Sequence, residues 1–195
     1  MTVTAKKKKM TPTRRLASLP FVGIWAGAHA LAWLTIFLLW EHSYWLQRID
    51  DGAFALMLGL YVGGIVTVMQ KGLMRYNFGV RLRGWIRVSL VMWAVGGFTF
   101  YTVGDVLNVS DETGLIFVAF FLPPVIAQTL ILRRSARHAF LWVLAGAVSA
   151  VVFGGVYAQL QYSPMGEGFA LMTAGAAQGA VTALTLLWLF YTPST

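Results

Sequence analysis

The chain has 195 residues, of which 58% are apolar and only 11% carry charge. Soluble domains carry charge on about a quarter of their residues, and here the apolar residues fall in long uncharged runs, so the composition excludes an ordinary soluble domain and indicates a membrane protein. There is no cysteine, which excludes disulfides and thiolate metal sites. The net charge of +8 lies at the ends of the apolar runs, which favours a lipid bilayer over nucleic acid as the partner. Many of the Trp and Tyr residues lie near the ends of these runs, which predicts an aromatic belt at the membrane interfaces.

The first 19 residues form a basic segment that contains Lys6–Lys9, Arg14 and Arg15. A segment of this kind has little to bury, and we predict a cytoplasmic tail that lies near anionic headgroups. Ala26–Ala32 offers the spacing of a signal-peptide cleavage site. Cleavage there would leave an apolar stretch at the new N-terminus, so the first apolar run is predicted to be an uncleaved signal anchor.

Six apolar runs follow, each near the ~20 residues needed to cross a bilayer. The predicted spans cover residues 20–40, 53–70, 85–104, 114–132, 139–160 and 168–191. Their connections are short, which predicts that successive helices are antiparallel neighbours forming three hairpins. The predicted fold is all-α, with a six-helix transmembrane domain over residues 20–192 and no second domain.

Charge divides cleanly between the two sides of this topology. All Lys and Arg residues except Arg48 fall on one side. The acidic residues all fall on the other side: Glu41, Asp50, Asp51, Asp105, Asp111, Glu112 and Glu167. Because Lys and Arg are enriched on the cytoplasmic side, both termini are predicted to be cytoplasmic, and the protein is assigned to a bacterial inner membrane.

Short words recur along the chain at matching spacings. Gln70 and Gln128 are each followed five residues later by arginine, and then by a Trp and a Gly that lie twelve residues apart. The words FALM and GIVT of the second span return as FALM and GAVT in the sixth. These recurrences predict a three-hairpin repeat whose copies share one membrane orientation.

The rhythm Gln128-Thr-Leu-Ile-Leu-Arg133, Ala139-Phe-Leu-Trp142 and Gly154 resembles a loosely defined group of uncharacterised bacterial multi-span membrane proteins. That group repeats a Gln-x-x-x-Leu-Arg…Trp hairpin. The resemblance covers spans two to five. Ser135 and Ala136 depart from the group's pattern, and the last span lacks the Gln–Arg pair. The resemblance implies a hairpin architecture and brings no activity with it.

Five residues are candidates for a ligand or pigment site within the membrane. His29 is an ionisable side chain near the middle of the first span, where it is able to ligate a haem or chlorophyll, bind a polar ligand or pass a proton. Gln178 and Thr182 would face the same cavity if the first and last spans pack together. Pro123 and Pro124 interrupt the fourth span and can open a pocket. Interhelical hydrogen bonding and ordinary proline use in membrane helices are the structural alternatives.

Three glycine pairs recur at four-residue spacing, which lets helix backbones approach closely. They are Gly23/Gly27, Gly59/Gly63 and Gly175/Gly179. We expect packing within the bundle, with an interface to another subunit or a second copy as the alternative. The first span also carries Ala26/Ala30 and Ala28/Ala32, and this small face is similar to the docking helix of substrate-binding subunits of energy-coupling-factor vitamin transporters. Those subunits share the six-span size and topology.

The basic loops at 71–87 and 133–138 act first as topology signals. Arg81, Arg83, Arg133 and Arg134 are also predicted to contact lipid headgroups. The chain contains no G-x-S-x-G, H-E-x-x-H or phosphate-binding loop, so it is predicted not to be an enzyme. No cofactor is required by the sequence, with pigment or lipid left open.

Two functions remain open. The first is a non-catalytic accessory or scaffold subunit of a larger membrane complex, in contact with pigment or lipid. It is favoured by the small-residue faces and the short loops. The second is a small-solute transport or substrate-binding subunit with a midplane pocket formed by His29, Gln178 and the proline kink.

Overall fold

The computed structural model describes residues 16–44, 46–107 and 116–191, and every regular element in these ranges is helical. The helices are α1 Ser18–His42, α2 Asp51–Phe78, α3 Trp85–Leu107, α4 Ile116–Leu132, α5 Leu141–Leu160 and α6 Glu167–Tyr191, with a 3-10 turn at Leu46–Arg48 before α2. The predicted all-α class is confirmed for this part of the chain. Most of the predicted basic tail, together with Asp111 and Glu112, lies outside the described residues.

Five of the described helices are long and apolar enough to cross a membrane. The exception is α4, which is apolar throughout but has 17 described residues. The predicted boundaries agree within a few residues except at the end of α2, which continues to Phe78 instead of stopping at residue 70. Lys71 and Arg75 therefore lie on the last two turns of a helix, where a loop was predicted.

The two ends of α2 are set by local chemistry. The Asp50 side chain accepts hydrogen bonds from the backbone N–H groups of Gly52 and Ala53 at 2.9 and 3.2 Å, which satisfies donors that the first helical turn leaves free. Gly79 ends the helix in the left-handed conformation, with φ +67°, and its N–H donates to the Arg75 carbonyl oxygen. Glycine adopts this conformation without the steric penalty of a Cβ.

The six helices form a closed antiparallel ring. Each helix packs extensively against the helices before and after it, and α6 packs against α1. One end of the ring, called here the basic end, holds Lys71, Arg75, Arg81, Arg83, Arg87, Arg133, Arg134 and Arg137. The opposite end, called the acidic end, holds the described carboxylates Glu41, Asp50, Asp51, Asp105 and Glu167.

Tryptophans fill the interior of the ring. Trp25, Trp85 and Trp142 are at most 1% exposed and pack in one core cluster toward the basic end. Trp33 and Trp93 belong to a second cluster toward the acidic end. The sequence suggested an aromatic belt at the membrane interfaces, but these five side chains lie inside, because the centre of a six-helix ring needs bulky groups to fill it.

A buried hydrogen-bond network ties four helices together between the two clusters. Gln128 on α4 donates from Nε2 to Gln70 Oε1 on α2 at 3.3 Å and to Ser89 Oγ on α3 at 3.1 Å. Its Oε1 accepts from Trp142 Nε1 on α5 at 3.1 Å. Gln128 is 2% exposed, so these bonds satisfy polar groups that neither lipid nor water reaches.

The remaining two helices are joined by a buried hydrogen bond between side chains. Trp25 Nε1 on α1 donates to Thr182 Oγ1 on α6 at 3.0 Å. Each of the six helices therefore has at least one side chain that is hydrogen-bonded to another helix inside the ring.

The glycine pairs of α2 and α6 pack inside the bundle. A Cβ at Gly59 would collide with the Trp93 carbonyl on α3, and a Cβ at Gly63 would collide with the Trp93 side chain. The four-residue spacing predicted that two helix backbones approach closely, and at Gly59 the backbones of α2 and α3 do so. Gly63 differs from that prediction, because it makes room for an indole ring instead of a backbone. On α6, a Cβ at Gly175 or Gly179 would collide with α1.

The glycine pair of α1 does not pack in this way. A Cβ at Gly23 or Gly27 meets no atom of the described residues within 4 Å. Packing within the bundle, which was the expected explanation for all three pairs, therefore does not fit this one. The reason is that the other helices cover a different face of α1.

Candidate ligand cavity

A cavity of about 240 Å³ lies in the ring toward the acidic end. All six helices contribute to its lining, which consists of Trp33, Ile36, Phe37, Trp40, Phe54, Leu58, Phe100, Phe117, Tyr157, Glu167 and Leu171. Seven of these eleven residues are aromatic. A cavity with mostly apolar walls and few polar groups is the usual form of a small-molecule site.

Close ring contacts fix the aromatic walls. Trp33 packs against Phe153 with ring centroids 4.6 Å apart, and Phe153 packs against Phe117 at 4.8 Å. Across the cavity, Trp40 on α1 meets Phe54 on α2 at 4.3 Å. The walls are thus held by contacts between different helices.

Gly168 makes room for part of this wall at the start of α6. A Cβ at Gly168 would lie 2.6 Å from the Phe37 ring on α1, so a larger residue would push that ring out of place. The absence of a side chain at this position therefore helps to set the shape of the cavity.

The polar groups of the cavity are a phenol and a carboxylate. The Tyr157 hydroxyl donates to Glu167 Oε1 at 2.8 Å, which joins the end of α5 to the start of α6. Tyr157 is 8% exposed, whereas Glu167 is exposed and marks the mouth. A carboxylate on the first residue of α6 is favoured by the positive end of the helix dipole.

The charge around the mouth is negative. Five described carboxylates lie at the acidic end, and Arg48 is the one described Lys or Arg there. The Arg48 guanidinium lies 4.0 Å from the centre of the Tyr44 ring and donates to its hydroxyl. This end of the ring attracts cations and repels anions.

His29, Gln178 and Thr182 come together where α1 packs on α6, and none of them lines the cavity. A Cβ at Gly179 would come within 3.1 Å of the His29 Cβ and Cγ atoms. The His29 Nδ1 lies 2.9 Å from the Trp25 carbonyl oxygen. Nδ1 therefore carries the proton, and Nε2 holds the lone pair able to accept a hydrogen bond or bind a metal. Gln178 Oε1 is buried and has no hydrogen-bond partner among the residues that the structure describes.

Pro123 and Pro124 do not break α4, which runs through both of them. Each proline lacks an N–H and so leaves the carbonyl four residues earlier without its helical donor. The carbonyl freed by Pro123, on Ala119, accepts from the Thr99 hydroxyl of α3 at 2.7 Å. The carbonyl freed by Pro124 lies against Gly96 so closely that a Cβ would not fit. The proline pair thus forms a junction with α3.

The four arginines predicted to contact lipid fall into two separate places. Arg81 and Arg83 line a groove at the basic end together with α2. Arg133 and Arg134 are exposed beyond the end of α4 and are not part of that groove's lining. The charge count along the chain gave no indication of this division.

The residues that line the cavity were not predicted from the sequence. Trp33, Phe37 and Trp40 recur at the four- and three-residue spacing of one helix face, which was the available signal. Large aromatic residues near the end of an apolar run are also what an interfacial belt requires. Only the packing of the other helices around that face distinguishes the two explanations.

In the described ranges, no group of three or more His, Cys, Asp or Glu side chains is arranged to hold a metal ion.

Comparison with known proteins adds no family assignment: no family model, curated protein or solved structure matches the chain.

Proposed function

We propose that the chain is a non-catalytic, multi-span membrane protein that binds a small organic cation with an aromatic or other apolar body. The observation that carries this proposal is the cavity at the acidic end, with its aromatic walls and the Tyr157–Glu167 pair at its mouth. Aromatic faces attract cations, and Glu167 adds a full negative charge. The protein is then the substrate-binding subunit of a transport system or an uptake protein in itself.

The proposal includes a membrane topology. Six spans, α4 among them, put both termini and the basic end in the cytoplasm of a bacterial cell and the cavity mouth on the outside of the inner membrane. The support is the segregation of all Lys and Arg residues except Arg48 from all seven acidic residues. The Gln128 network and the Thr99 bond tie α4 to its neighbours, so it is built into the bundle at the same depth as the longer helices.

The proposed three-hairpin repeat is clearest when each unit begins with an even-numbered helix, so that the last unit joins α6 to α1. Buried glutamines lie on α2, α4 and α6, at positions 70, 128 and 178, and buried tryptophans lie on α3, α5 and α1, at positions 85, 142 and 25. The repeating unit is then α2–α3, α4–α5 and α6–α1. Because α6 packs against α1, the third unit is formed by the last and the first helix of the chain.

Equilibrium dialysis with radiolabelled benzyltrimethylammonium tests the binding proposal on the full chain in zwitterionic nanodiscs. We expect saturable binding of this cation, none of benzylsulfonate, which carries the same ring with a negative charge, and weak binding of tetramethylammonium, which lacks the ring. Glu167→Gln should weaken binding at least tenfold. Asp105→Asn removes a carboxylate from the same end without touching the cavity and should change binding less than twofold.

Two tryptophan substitutions on α6 distinguish binding in the cavity from binding at the exposed surface of the helix. Leu171→Trp places a large ring in the cavity and should abolish binding. Leu184→Trp makes the same change at an exposed position of the same helix and should leave binding intact. Absence of saturable benzyltrimethylammonium binding, or equal losses in both variants, would overturn the proposal.

A second candidate is the accessory or scaffold subunit of a larger membrane complex, in contact with lipid, pigment or a second copy. The observation that favours it is the glycine pair of α1, because no atom in the described part of the chain lies within 4 Å of a Cβ built at Gly23 or Gly27. The adjacent Ile24 and Leu31 are also exposed. Gly23→Leu with Gly27→Leu should then abolish co-purification of partner chains while benzyltrimethylammonium binding persists. Retention of every partner would count against this candidate.

A further inference from the structure

A second concave site lies at the basic end, opposite the aromatic cavity. It is a groove of about 370 Å³ lined by Lys71, Arg75, Val80, Arg81, Leu82 and Arg83. We infer that this groove binds a phosphate-bearing anion, and we assign that anion to the headgroup of an anionic phospholipid.

One wall of the groove is the last part of α2. Lys71 and Arg75 are four residues apart, so both side chains lie on the same face of the helix, one turn from each other. Lys71 is half-buried and Arg75 is exposed. The helix presents one cation close to the floor of the groove and one at its rim.

The facing wall is a loop whose shape is fixed at three points. Gly79 and Gly84 adopt φ +67° and +80°, which favour glycine. Between them Leu82 is 3% exposed and packs in the tryptophan cluster toward the basic end. Because Leu82 points into the core, its exposed neighbours Arg81 and Arg83 project away from it.

The four cations have no anionic partner in the described part of the chain. The described carboxylates all lie at the acidic end, and Lys71 and Asp51 are separated by twenty residues of α2, or about 30 Å of helix. Four positive charges around one concavity repel one another unless an anion neutralises them. The nearby start of α3 at Trp85 adds the positive end of a helix dipole.

The surroundings of the groove favour a lipid over a free anion. Val80 and Leu82 give it an apolar floor, and Val68 on α2 and Val88 on α3 are exposed apolar side chains on the adjoining helices. A phospholipid whose phosphate is held by arginine and lysine can therefore keep its acyl chains against the apolar surface of the helices. Arginine provides paired donors for phosphate oxygens, and lysine adds a point charge.

Titration of the detergent-solubilised full chain with three probes tests the assignment. The probes are dihexanoyl phosphatidylglycerol, dihexanoyl phosphatidylcholine and inorganic phosphate, and binding is followed by calorimetry at low and high salt. We expect saturable binding of phosphatidylglycerol that weakens with salt, no saturable binding of phosphatidylcholine, and inorganic phosphate binding at least tenfold weaker.

Matched double variants locate the site. Arg81→Gln with Arg83→Gln should weaken phosphatidylglycerol binding at least tenfold. Arg133→Gln with Arg134→Gln removes the same charge from the same end outside the groove and should change binding less than twofold. Val80→Trp fills the groove without altering charge and should also weaken binding at least tenfold.

Three results would overturn the inference. Equal losses in the two arginine pairs would show a general effect of net charge. Unchanged binding in Val80→Trp would place the lipid elsewhere. Inorganic phosphate that binds as tightly as phosphatidylglycerol would remove the assignment to a lipid.

Discussion

At the scale of single residues, the proline pair of α4 shows how a neighbouring helix compensates for a missing backbone bond. Thr99 donates to the carbonyl that Pro123 frees, and Gly96 lets α3 approach the carbonyl that Pro124 frees. The sequence indicated the prolines, but their partners lie about 25 residues away on another helix. Periodicity does not report which residue of α3 faces α4, so this junction could not be predicted.

Thr99→Val should destabilise the bundle by ~0.6–1.7 kcal/mol, the range found for hydrogen bonds between membrane helices. Thr102→Val is the matched control, because the Thr102 hydroxyl donates within its own helix, to the Phe98 carbonyl. Reversible unfolding in mixed micelles, followed by tryptophan fluorescence, measures both free energies of unfolding. Equal values for the two variants would contradict the junction.

Gln128 is the residue on which the buried network depends. Gln128→Leu should lower the free energy of unfolding by ~1–3 kcal/mol, because it leaves buried polar groups on three other helices unpaired. Gln159→Leu, at an exposed position of α5, should change it by less than about 0.5 kcal/mol. A double-mutant cycle of Gln128→Leu with Trp142→Phe should be non-additive. Strict additivity would argue against a direct bond.

The sequence did single out Gln70 and Gln128 as a repeated pair, and the structure connects them to each other. It also placed His29 and Gln178 at similar depth, and α1 and α6 do meet there. The sequence could not indicate how closely α1 and α6 pack around His29. His29 lies against Gly179 instead of an open space, and this follows from how closely two helix backbones approach.

At the scale of helices, glycine spacing predicted close packing but neither its direction nor the group that fills the space. The pairs of α2 and α6 face helices of the same chain, whereas Gly23 and Gly27 face outward. Gly63 faces the Trp93 side chain, and Gly59 faces the backbone of the same residue. A G-x-x-x-G pattern is identical in all these situations. The direction is set by which face of each helix its neighbours cover, and that depends on the whole ring.

Gly59→Ala should therefore destabilise the bundle by ~1–3 kcal/mol, since the added methyl group meets the Trp93 backbone. Gly23→Ala should be neutral or stabilising by up to about 1 kcal/mol, because alanine is the better helix former. Thermal unfolding in detergent at one protein concentration compares them. Similar losses in both variants would mean that α1 is packed differently.

The end of α2 illustrates a limit of span prediction. The apolar run stops near residue 70, but the helix continues to Phe78 because Met74 and Phe78 are buried in the core. Buried residues at helical spacing extend the helix past its apolar run into the charged region. This extension carries Lys71 and Arg75 to the wall of the groove at the basic end.

At the scale of the whole molecule, the ring has two ends of opposite character. The acidic end opens into an aromatic cavity, and the basic end is filled by tryptophans and bears the groove lined by lysine and arginine. The separation of charge was visible in the sequence, and so were the number and order of the helices. The cavity was not, because it arises from the way six helices surround the face of α1 that carries Trp33.

Both proposed sites depend on the six-span topology, in which α4, with 17 described residues, is the shortest helix. The chain has no native cysteine, so single cysteines report their own accessibility without background. Asp105 lies near the end of α3 and Ser135 just beyond α4, and both are exposed. A membrane-impermeant maleimide applied to spheroplasts therefore tests whether the chain between them crosses the membrane.

We expect Asp105→Cys to be labelled in intact spheroplasts and Ser135→Cys to be labelled only after they are permeabilised. This result would place the cavity mouth outside and the groove at the basic end in the cytoplasm. Labelling of both positions from the same side would mean that α4 does not cross the membrane, and it would contradict the six-span topology.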